Sequence, residues 1–208
     1  MIDLNFFAYS ATNDIGLLAF AISGAYKGIN RKLDILGVIV LGFLTALGGG
    51  ITRDVLAGKS PAAFLGYNDI GFTFAGIGSA VIMYLLIKKD ISGNIIIKIS
   101  DAAGLAAFTV TGAVVAHQSQ FNIAGIVILS FITAVGGGLI SDVLTNRIPM
   151  VLKEDFYATC SIIGSLWFYI SVNIGINQNC AVYTTFIVVL LVRVVAILLN
   201  WHLPKLKS

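Results

Sequence analysis

The stretch LGFLTALGGGITRDVL at residues 41–56 decides the fold, because a near copy of it, LSFITAVGGGLISDVL, follows at residues 129–144. Ten of the sixteen aligned positions are identical, and they include the whole glycine triplet and the final Asp-Val-Leu. A match of this quality at a fixed spacing marks an internal repeat. The sequence therefore predicts two structural units of one design.

The repeat extends well beyond these two stretches. The same shift of 88 residues aligns identical residues on both sides of them. The further identical pairs are Gly16 and Gly104, Leu17 and Leu105, Ala19 and Ala107, Phe20 and Phe108, Gly24 and Gly112, Ala25 and Ala113, Pro61 and Pro149, and Gly76 and Gly164. We therefore predict a first repeat over about 6–88, a second over about 94–174, and an additional helix over about 179–201 outside the repeat.

The composition excludes an ordinary soluble domain. Hydrophobic residues make up 58% of the 208 residues and charged residues only 11%, whereas roughly a quarter of the residues in a soluble domain are charged. Since about 20 apolar residues suffice for a helix to cross a membrane, we predict an all-α membrane protein with one transmembrane domain over residues 1–208. Its seven predicted transmembrane helices lie at about 6–26, 33–57, 69–88, 94–116, 121–145, 156–174 and 179–201.

Basic residues predict the orientation of these helices. Their connections alternate between two faces of the membrane, and ten Lys or Arg residues fall on one face against Lys59 alone on the other. The positive-inside rule puts the basic face in the cytoplasm, the N-terminus outside and the C-terminus inside. The ten are distributed over several interhelical loops and do not form one dense patch, which indicates topology and not a nucleic-acid partner. They are Lys27, Arg31, Lys32, Lys88, Lys89, Lys98, Arg147, Lys153, Lys205 and Lys207.

The number of helices in each repeat predicts how the two copies are related. Each repeat holds three predicted helices, so the second copy enters the membrane from the opposite face. The two copies then form an inverted pair about an axis in the membrane plane. This arrangement is typical of transporters and some channels, whose sites lie at the repeat interface where helices are interrupted.

The glycine triplets are unfavourable inside a helix, because each glycine costs roughly 1 kcal/mol relative to alanine. One interpretation is a bend or an unwound turn, which would direct backbone carbonyls toward a water-filled path. The alternative is close helix packing through small residues. Their equivalent places in the two repeats favour a pore or binding path. The six residues are Gly48, Gly49, Gly50, Gly136, Gly137 and Gly138.

Two aligned aspartates follow the triplets by four residues. Asp54 and Asp142 would therefore sit near the outer and inner mouths of a path, respectively. Carboxylates at both mouths would concentrate cations and repel anions. The alternative is that these acids cap or pair with neighbouring helices.

Four more charged residues fall inside predicted helices, where an ionisable side chain is functional or paired by default. Asp14 and Arg53 share a depth near the outer face, so they could pair. Asp101 and Arg193 share a depth near the inner face, so they form a second candidate pair. Capping or pairing between helices is the alternative for Asp14 and Asp101 as well.

The sequence contains no pattern that points to an enzyme. It has no Ser/His/Asp set, no His-Glu-x-x-His motif and no setting for a cysteine nucleophile. The two cysteines lack metal-ligand spacing, so we expect no metal and no cofactor.

The paired glycine motifs, set in two three-helix repeats with a seventh helix, resemble the prokaryotic branch of the trimeric intracellular cation (TRIC) channels. The resemblance covers nearly the whole chain. It implies a homotrimer in the plasma membrane of a prokaryote, surrounded by membrane lipid, with a potassium-conducting pore in every protomer. It also implies that the second and fifth helices bend at Gly48–Gly50 and Gly136–Gly138 and line that pore. The Lys-Glu-Val motif of the animal members is absent from this sequence, so their phosphoinositide or calcium-store regulation is not implied.

These observations lead to a prediction of a channel for potassium or another monovalent cation. The same prokaryotic domain is also described as a glycine transporter or UPF0126-type membrane domain. The alternative is therefore a secondary transporter of a small zwitterion such as glycine, in which the glycine turns bind substrate and an aspartate couples to protons or sodium. A non-conducting scaffold is disfavoured because it does not explain paired glycine runs.

Overall fold

The structure is a computed structural model that describes residues 4–87, 93–153 and 156–201, and within these ranges it contains helices and no strand. Each of the seven predicted helices corresponds to one long helix. A one-turn 3-10 helix, Ala62–Phe64, follows the second helix, and a one-turn α-helix follows the fifth. The α-helices are α1 (Leu4–Asn30), α2 (Ile35–Leu56), α3 (Asn68–Ile87), α4 (Gly93–Gln118), α5 (Ile123–Leu144), α6 (Met150–Lys153), α7 (Tyr157–Asn173) and α8 (Gln178–Leu198).

Equivalent caps begin the two glycine-bearing helices. The Asp34 side chain accepts a hydrogen bond from the Gly37 backbone N–H at 2.7 Å, and this fixes the start of α2. Asn122 does the same for α5 by accepting from the Gly125 N–H at 2.8 Å. A side-chain oxygen at this position satisfies one of the free N–H groups in the first turn. The two caps are 88 residues apart, so the repeat in the sequence is also a repeat in local structure.

The predicted end of the first helix, near residue 26, is wrong. The helix α1 continues for four more residues to Asn30 and therefore includes Lys27. This lysine is 1% exposed, so it lies within the packed helices and not in a connection. A charged residue normally marks the end of an apolar helix. Lys27 instead lies inside α1, where its charge is balanced by an ion pair with the buried Asp142 of α5.

The helices α1 and α4 form the centre of the bundle and pack against each other. The remaining long helices surround them: α1 also packs against α2 and α3, and α4 also packs against α5, α7 and α8. Phe20 and Phe108 meet edge to face in this contact, with ring centroids 5.1 Å apart. A Cβ atom at Gly16 would overlap the Phe108 ring, and one at Gly104 would overlap the Phe20 ring. Glycine is thus needed at both positions to seat the opposing ring, and all four residues belong to the repeat.

Five helices of the described chain are long and apolar enough to cross a membrane by length and composition: α2, α3, α4, α5 and α8. Many large apolar side chains remain exposed, among them Ile82 and Leu191, which are both 58% exposed. Polar side chains are buried alongside the apolar core, including Thr109 and Thr133 at 0% exposure. Such a distribution suits a protein whose surroundings are lipid, because lipid tails do not penalise exposed apolar surface.

Candidate functional site

Two cavities lie at opposite ends of the helix bundle. The larger, of about 750 Å³, is lined by five cations and one carboxylate among the described residues, and we call it the basic cavity. The smaller, of about 10 Å³, is called the narrow cavity. Residues 13 and 27 of α1 line the narrow and the basic cavity, respectively, which places the cavities about 21 Å apart at 1.5 Å per residue. The charged lining residues of the basic cavity are Lys27, Lys98, Asp142, Arg147, Lys153 and Arg193.

A buried ion pair sits in the wall of the basic cavity. The Lys27 Nζ atom lies 2.8 Å from Asp142 Oδ1, and the two side chains are 1% and 3% exposed. Lys27 also donates to the Ser141 hydroxyl at 3.0 Å. The second Asp142 oxygen accepts the Met150 backbone N–H at 2.9 Å, at the start of α6. Asp142 therefore joins α1, α5 and α6 through one carboxylate.

The assignment of Lys27 to a cytoplasmic connection was wrong, although the predicted orientation does not change. Removing Lys27 from the count leaves nine basic residues on that face against Lys59 on the other. The asymmetry is still strong enough for the positive-inside rule. Sequence analysis missed Lys27 as a site residue because it stands only one residue beyond the predicted helix end.

A second group of charges extends from the basic cavity into the bundle. The Arg193 Cζ atom lies over the Tyr157 ring, 4.7 Å from its centroid. The carboxylate of Asp101 is fully buried and interacts with Tyr157, Lys27 and Arg193. The predicted association of Asp101 with Arg193 is thus made through the aromatic ring of Tyr157. Tyr157 has no charge that would mark it in the sequence, although its position aligns with that of Asp69 in the first repeat, 88 residues earlier.

Arg53 and Asp54 form the corresponding ion pair at the narrow cavity. Arg53 Nε lies 2.8 Å from Asp54 Oδ1, and both side chains are buried. Nearby, the Asn13 amide donates to Asp69 Oδ1 at 3.2 Å. All four residues line the narrow cavity, and the Arg53 guanidinium also lies over the Tyr9 ring at 5.9 Å.

The predicted pair of Asp14 with Arg53 is wrong. Arg53 pairs with its neighbour in sequence, Asp54, while Asp14 is only partly buried and faces Asp69. Asp14, Arg53 and Asp69 do lie toward the same end of the bundle, the end with the narrow cavity. The depth of a residue along a helix does not show which way its side chain points around the helix axis. Equal depths therefore did not identify the partner of Arg53.

The aligned aspartates Asp54 and Asp142 have the same structural role. The second Asp54 oxygen accepts the Ala62 backbone N–H at 2.9 Å, as Asp142 accepts that of Met150, eight residues on in both cases. Each aspartate therefore holds the chain that follows its helix and also pairs with one cation. The capping and pairing interpretation applies to both, so neither carboxylate is a free charge at a mouth.

Both glycine-bearing helices remain α-helical through their triplets, so the unwound turn is not observed. A Cβ atom at Gly49 would overlap the Thr133 carbonyl oxygen, and one at Gly137 would overlap the Thr45 carbonyl oxygen. The middle glycine of each triplet thus allows α2 and α5 to touch backbone to backbone. Close packing through small residues is therefore the role that the structure gives these two positions.

The other glycines of the triplets have different surroundings. A Cβ atom at Gly50 would meet only Arg53 Nη2 at 3.9 Å, whereas one at Gly138 would lie 3.4 Å from the Tyr157 hydroxyl and 3.6 Å from Asp101 Oδ1. The last glycine of each triplet therefore faces one of the two charge networks. The first glycines, Gly48 and Gly136, lie in the contact between α2 and α5.

A family model described as glycine transporter matches residues 11–87 and 98–173, which are the two halves of the repeat. The UPF0126 membrane protein YvgT of Bacillus subtilis is 35% identical over 203 residues, which is 95% of this chain and 96% of that protein.

Two solved structures of TRIC channels have the same fold. One, described as showing the structural basis for conductance through TRIC cation channels, is 39% identical to this chain with a TM-score of 0.83. The aligned region covers 96% of this chain and 97% of that chain. The other, a prokaryotic TRIC channel in 0.5 M KCl, is 33% identical with a TM-score of 0.85 and covers 95% of this chain and 100% of its own. The similarity thus extends over nearly all of the bundle that holds the two cavities.

Proposed function

The chain belongs to the glycine transporter family of membrane proteins, and from this premise we propose that it is a channel for monovalent cations, with potassium as the main permeant ion. The observation that carries the proposal is the pair of charged cavities at opposite ends of the helix bundle, one beside the end of α5 at Asp142 and the other beside the end of α2 at Asp54. Polar and charged side chains inside a membrane protein mark ion or substrate pathways. The two similar structures described as TRIC channels support the same function.

The proposed path runs through each protomer of a homotrimer. It leads from the basic cavity past Asp142 and the last glycines of the two triplets, Gly138 and Gly50, to the narrow cavity at Asp54. Seven membrane spans in two inverted three-helix repeats, over about 6–88 and 94–174, would place equivalent elements at the two ends. The matched caps, the matched aspartate contacts and the matched Phe20 and Phe108 rings support this arrangement.

The proposed orientation can be tested by labelling single cysteines in a background without Cys160 and Cys180. We expect Arg31→Cys to react with a membrane-impermeant thiol reagent only from the cytoplasmic side and Ile176→Cys only from outside. Arg31 lies in the connection between α1 and α2, and Ile176 in the connection between α7 and α8. Labelling of both cysteines from one side would contradict the odd number of spans between them.

A transporter of a small zwitterion is the second candidate, and the wall of the basic cavity favours it over a non-conducting scaffold. Lys27 and Arg193 could hold a carboxylate group, while Asp142 could hold an ammonium group. In this interpretation the paired charges of the cavity would exchange their protein partners for the two ends of a substrate.

Flux from purified protein in liposomes separates the two candidates. We expect potassium uptake that rises with potassium concentration without saturation in the millimolar range and no uptake of labelled glycine above that of empty liposomes. Rubidium is expected to substitute for potassium, because the proposed path discriminates by charge. Saturable glycine uptake without potassium current would replace the channel by the transporter.

A further inference from the structure

We infer that Arg53 is the gate of the proposed path, the group that keeps the end at the narrow cavity closed to cations in this structure. This role deepens the proposed channel function and rests on it. Three features of the narrow cavity support it: its size, the hydrogen bonds of its carboxylates and the position of its arginine.

The narrow cavity is too small for a hydrated cation. Its volume is about 10 Å³, against about 750 Å³ for the basic cavity, and about 10–15 Å³ is the least that holds one water molecule. A potassium ion that passes through must therefore exchange its water shell for oxygen atoms of the protein. The ion can pass only if the cavity offers such oxygen atoms.

The carboxylate oxygens of the narrow cavity already accept from donors of the protein. Asp54 Oδ1 accepts from Arg53 Nε at 2.8 Å, and Asp54 Oδ2 accepts from the Ala62 backbone N–H at 2.9 Å. Asp69 Oδ1 accepts from the Asn13 amide at 3.2 Å. None of these three oxygens can coordinate a cation without weakening or losing its present hydrogen bond.

The Arg53 guanidinium is itself an obstacle to a cation. It carries five N–H donors and no acceptor, so it cannot coordinate a potassium ion. Arg53 is also the nearest side chain of the described chain to a Cβ atom placed on Gly50, with Nη2 at 3.9 Å. A positive charge thus stands where the proposed path leaves the last glycine of the first triplet, and an arginine fixed in a pore is a barrier to cations.

The second repeat carries a different residue at this position. Ser141 aligns with Arg53, as Asp142 aligns with Asp54. The cation on Asp142 comes instead from another helix, since it is Lys27 of α1. The end of the bundle with serine at this position opens into the larger cavity, so Arg53→Ser gives the first repeat the residue of the second.

Potassium uptake into liposomes that contain the purified full chain tests the gate. We expect Arg53→Ser to raise the initial rate about tenfold, which corresponds to a barrier lower by about 1.4 kcal/mol. This is about a third of the repulsion between two unit charges 4 Å apart near a protein surface. Arg53→Lys keeps the positive charge and should raise the rate much less. The matched control Lys59→Ser removes an exposed cation outside the cavity lining and should leave the rate near the wild-type value.

Free guanidinium ion provides a second readout, which a purely structural role of Arg53 would not affect. Guanidinium chloride far below denaturing concentrations, present inside and outside the liposomes, should occupy the vacated position beside Asp54. We therefore expect it to slow uptake by Arg53→Ser toward the wild-type rate and to leave the wild type unchanged. Urea is the matched control, because it is planar and similar in size but has no charge, and it should slow neither protein.

The stability of the variants is controlled separately. Removal of one partner from a buried ion pair is destabilising, so the double variant Arg53→Ser, Asp54→Asn is measured as well. Its amide oxygen can still accept the Ala62 N–H, and its uptake should also exceed that of the wild type. Circular dichroism identifies the variants that have folded.

The outcomes distinguish the gate from the proposed function. Uptake at the wild-type rate in the folded Arg53 variants would overturn the gate while leaving a cation channel. Raised uptake that guanidinium does not slow, or that urea slows equally, would overturn it as well. Absence of potassium uptake in the wild type and in every folded variant would overturn the channel function together with the gate.

Discussion

Replacing Gly49 or Gly137 by alanine should lower the free energy of unfolding by about 3 kcal/mol, at the upper end of the range for overpacking a core. The added methyl group would overlap the carbonyl oxygen of Thr133 or Thr45, respectively. A backbone carbonyl inside a helix cannot rotate away as a side chain can, so α2 and α5 must move apart. Unfolding of the purified variants in a denaturing detergent, followed by circular dichroism, gives the difference.

Gly50→Ala is the matched control, because it makes the same chemical change one residue further along α2. The new methyl group would enter open space, with Arg53 Nη2 at 3.9 Å. Alanine is the better helix former by as much as about 1 kcal/mol, so this variant should be at least as stable as the wild type. Equal losses at Gly49 and Gly50 would show that the helix contact does not decide the effect.

The same two variants also test the predicted bend of the second helix. If flexibility of the glycine triplet is needed for conduction, Gly50→Ala should reduce potassium flux in liposomes without loss of stability. Unchanged flux in Gly50→Ala, together with reduced stability in Gly49→Ala, would leave close packing as the only role of the triplet.

The positions of the helices could be predicted from the sequence because they depend on local properties. An apolar run of sufficient length must form a helix in lipid, and capping residues such as Asp34 and Asn122 mark where it begins. The caps at these two residues repeat at the spacing read from residues 41–56 and 129–144. The internal repeat thus carried information about tertiary structure as well as about helix boundaries.

The partners of the charged residues could not be predicted, because they depend on directions around each helix. Asp14 and Arg53 matched in depth, yet Arg53 turns to Asp54 beside it. Lys27 pairs with Asp142 across 115 positions of sequence, which no local pattern indicates.

The ion pair of Lys27 with Asp142 should also have a large effect on stability, and the effect should be unequal for its two members. Lys27→Met leaves a buried carboxylate without its cation, and loss of one partner from a buried pair costs about 3–5 kcal/mol. Asp142→Asn should cost less, because the amide oxygen still accepts from Lys27 and the Asp101 carboxylate lies near the same ammonium group. Both variants are measured by the same detergent unfolding.

The double variant Lys27→Met, Asp142→Asn shows whether the loss comes from the uncompensated charge. Asparagine at position 142 needs no counterion and can still accept the Met150 backbone N–H, while the Asp101 carboxylate keeps its interaction with Arg193. We therefore expect the double variant to be more stable than Lys27→Met by about 2 kcal/mol, because the losses of two contacting residues do not add. Lys153→Met is the control, because it removes an exposed lysine from the same cavity and should change stability by less than about 0.5 kcal/mol. Strictly additive losses in the double variant would mean that Lys27 stabilises the bundle by its packing alone.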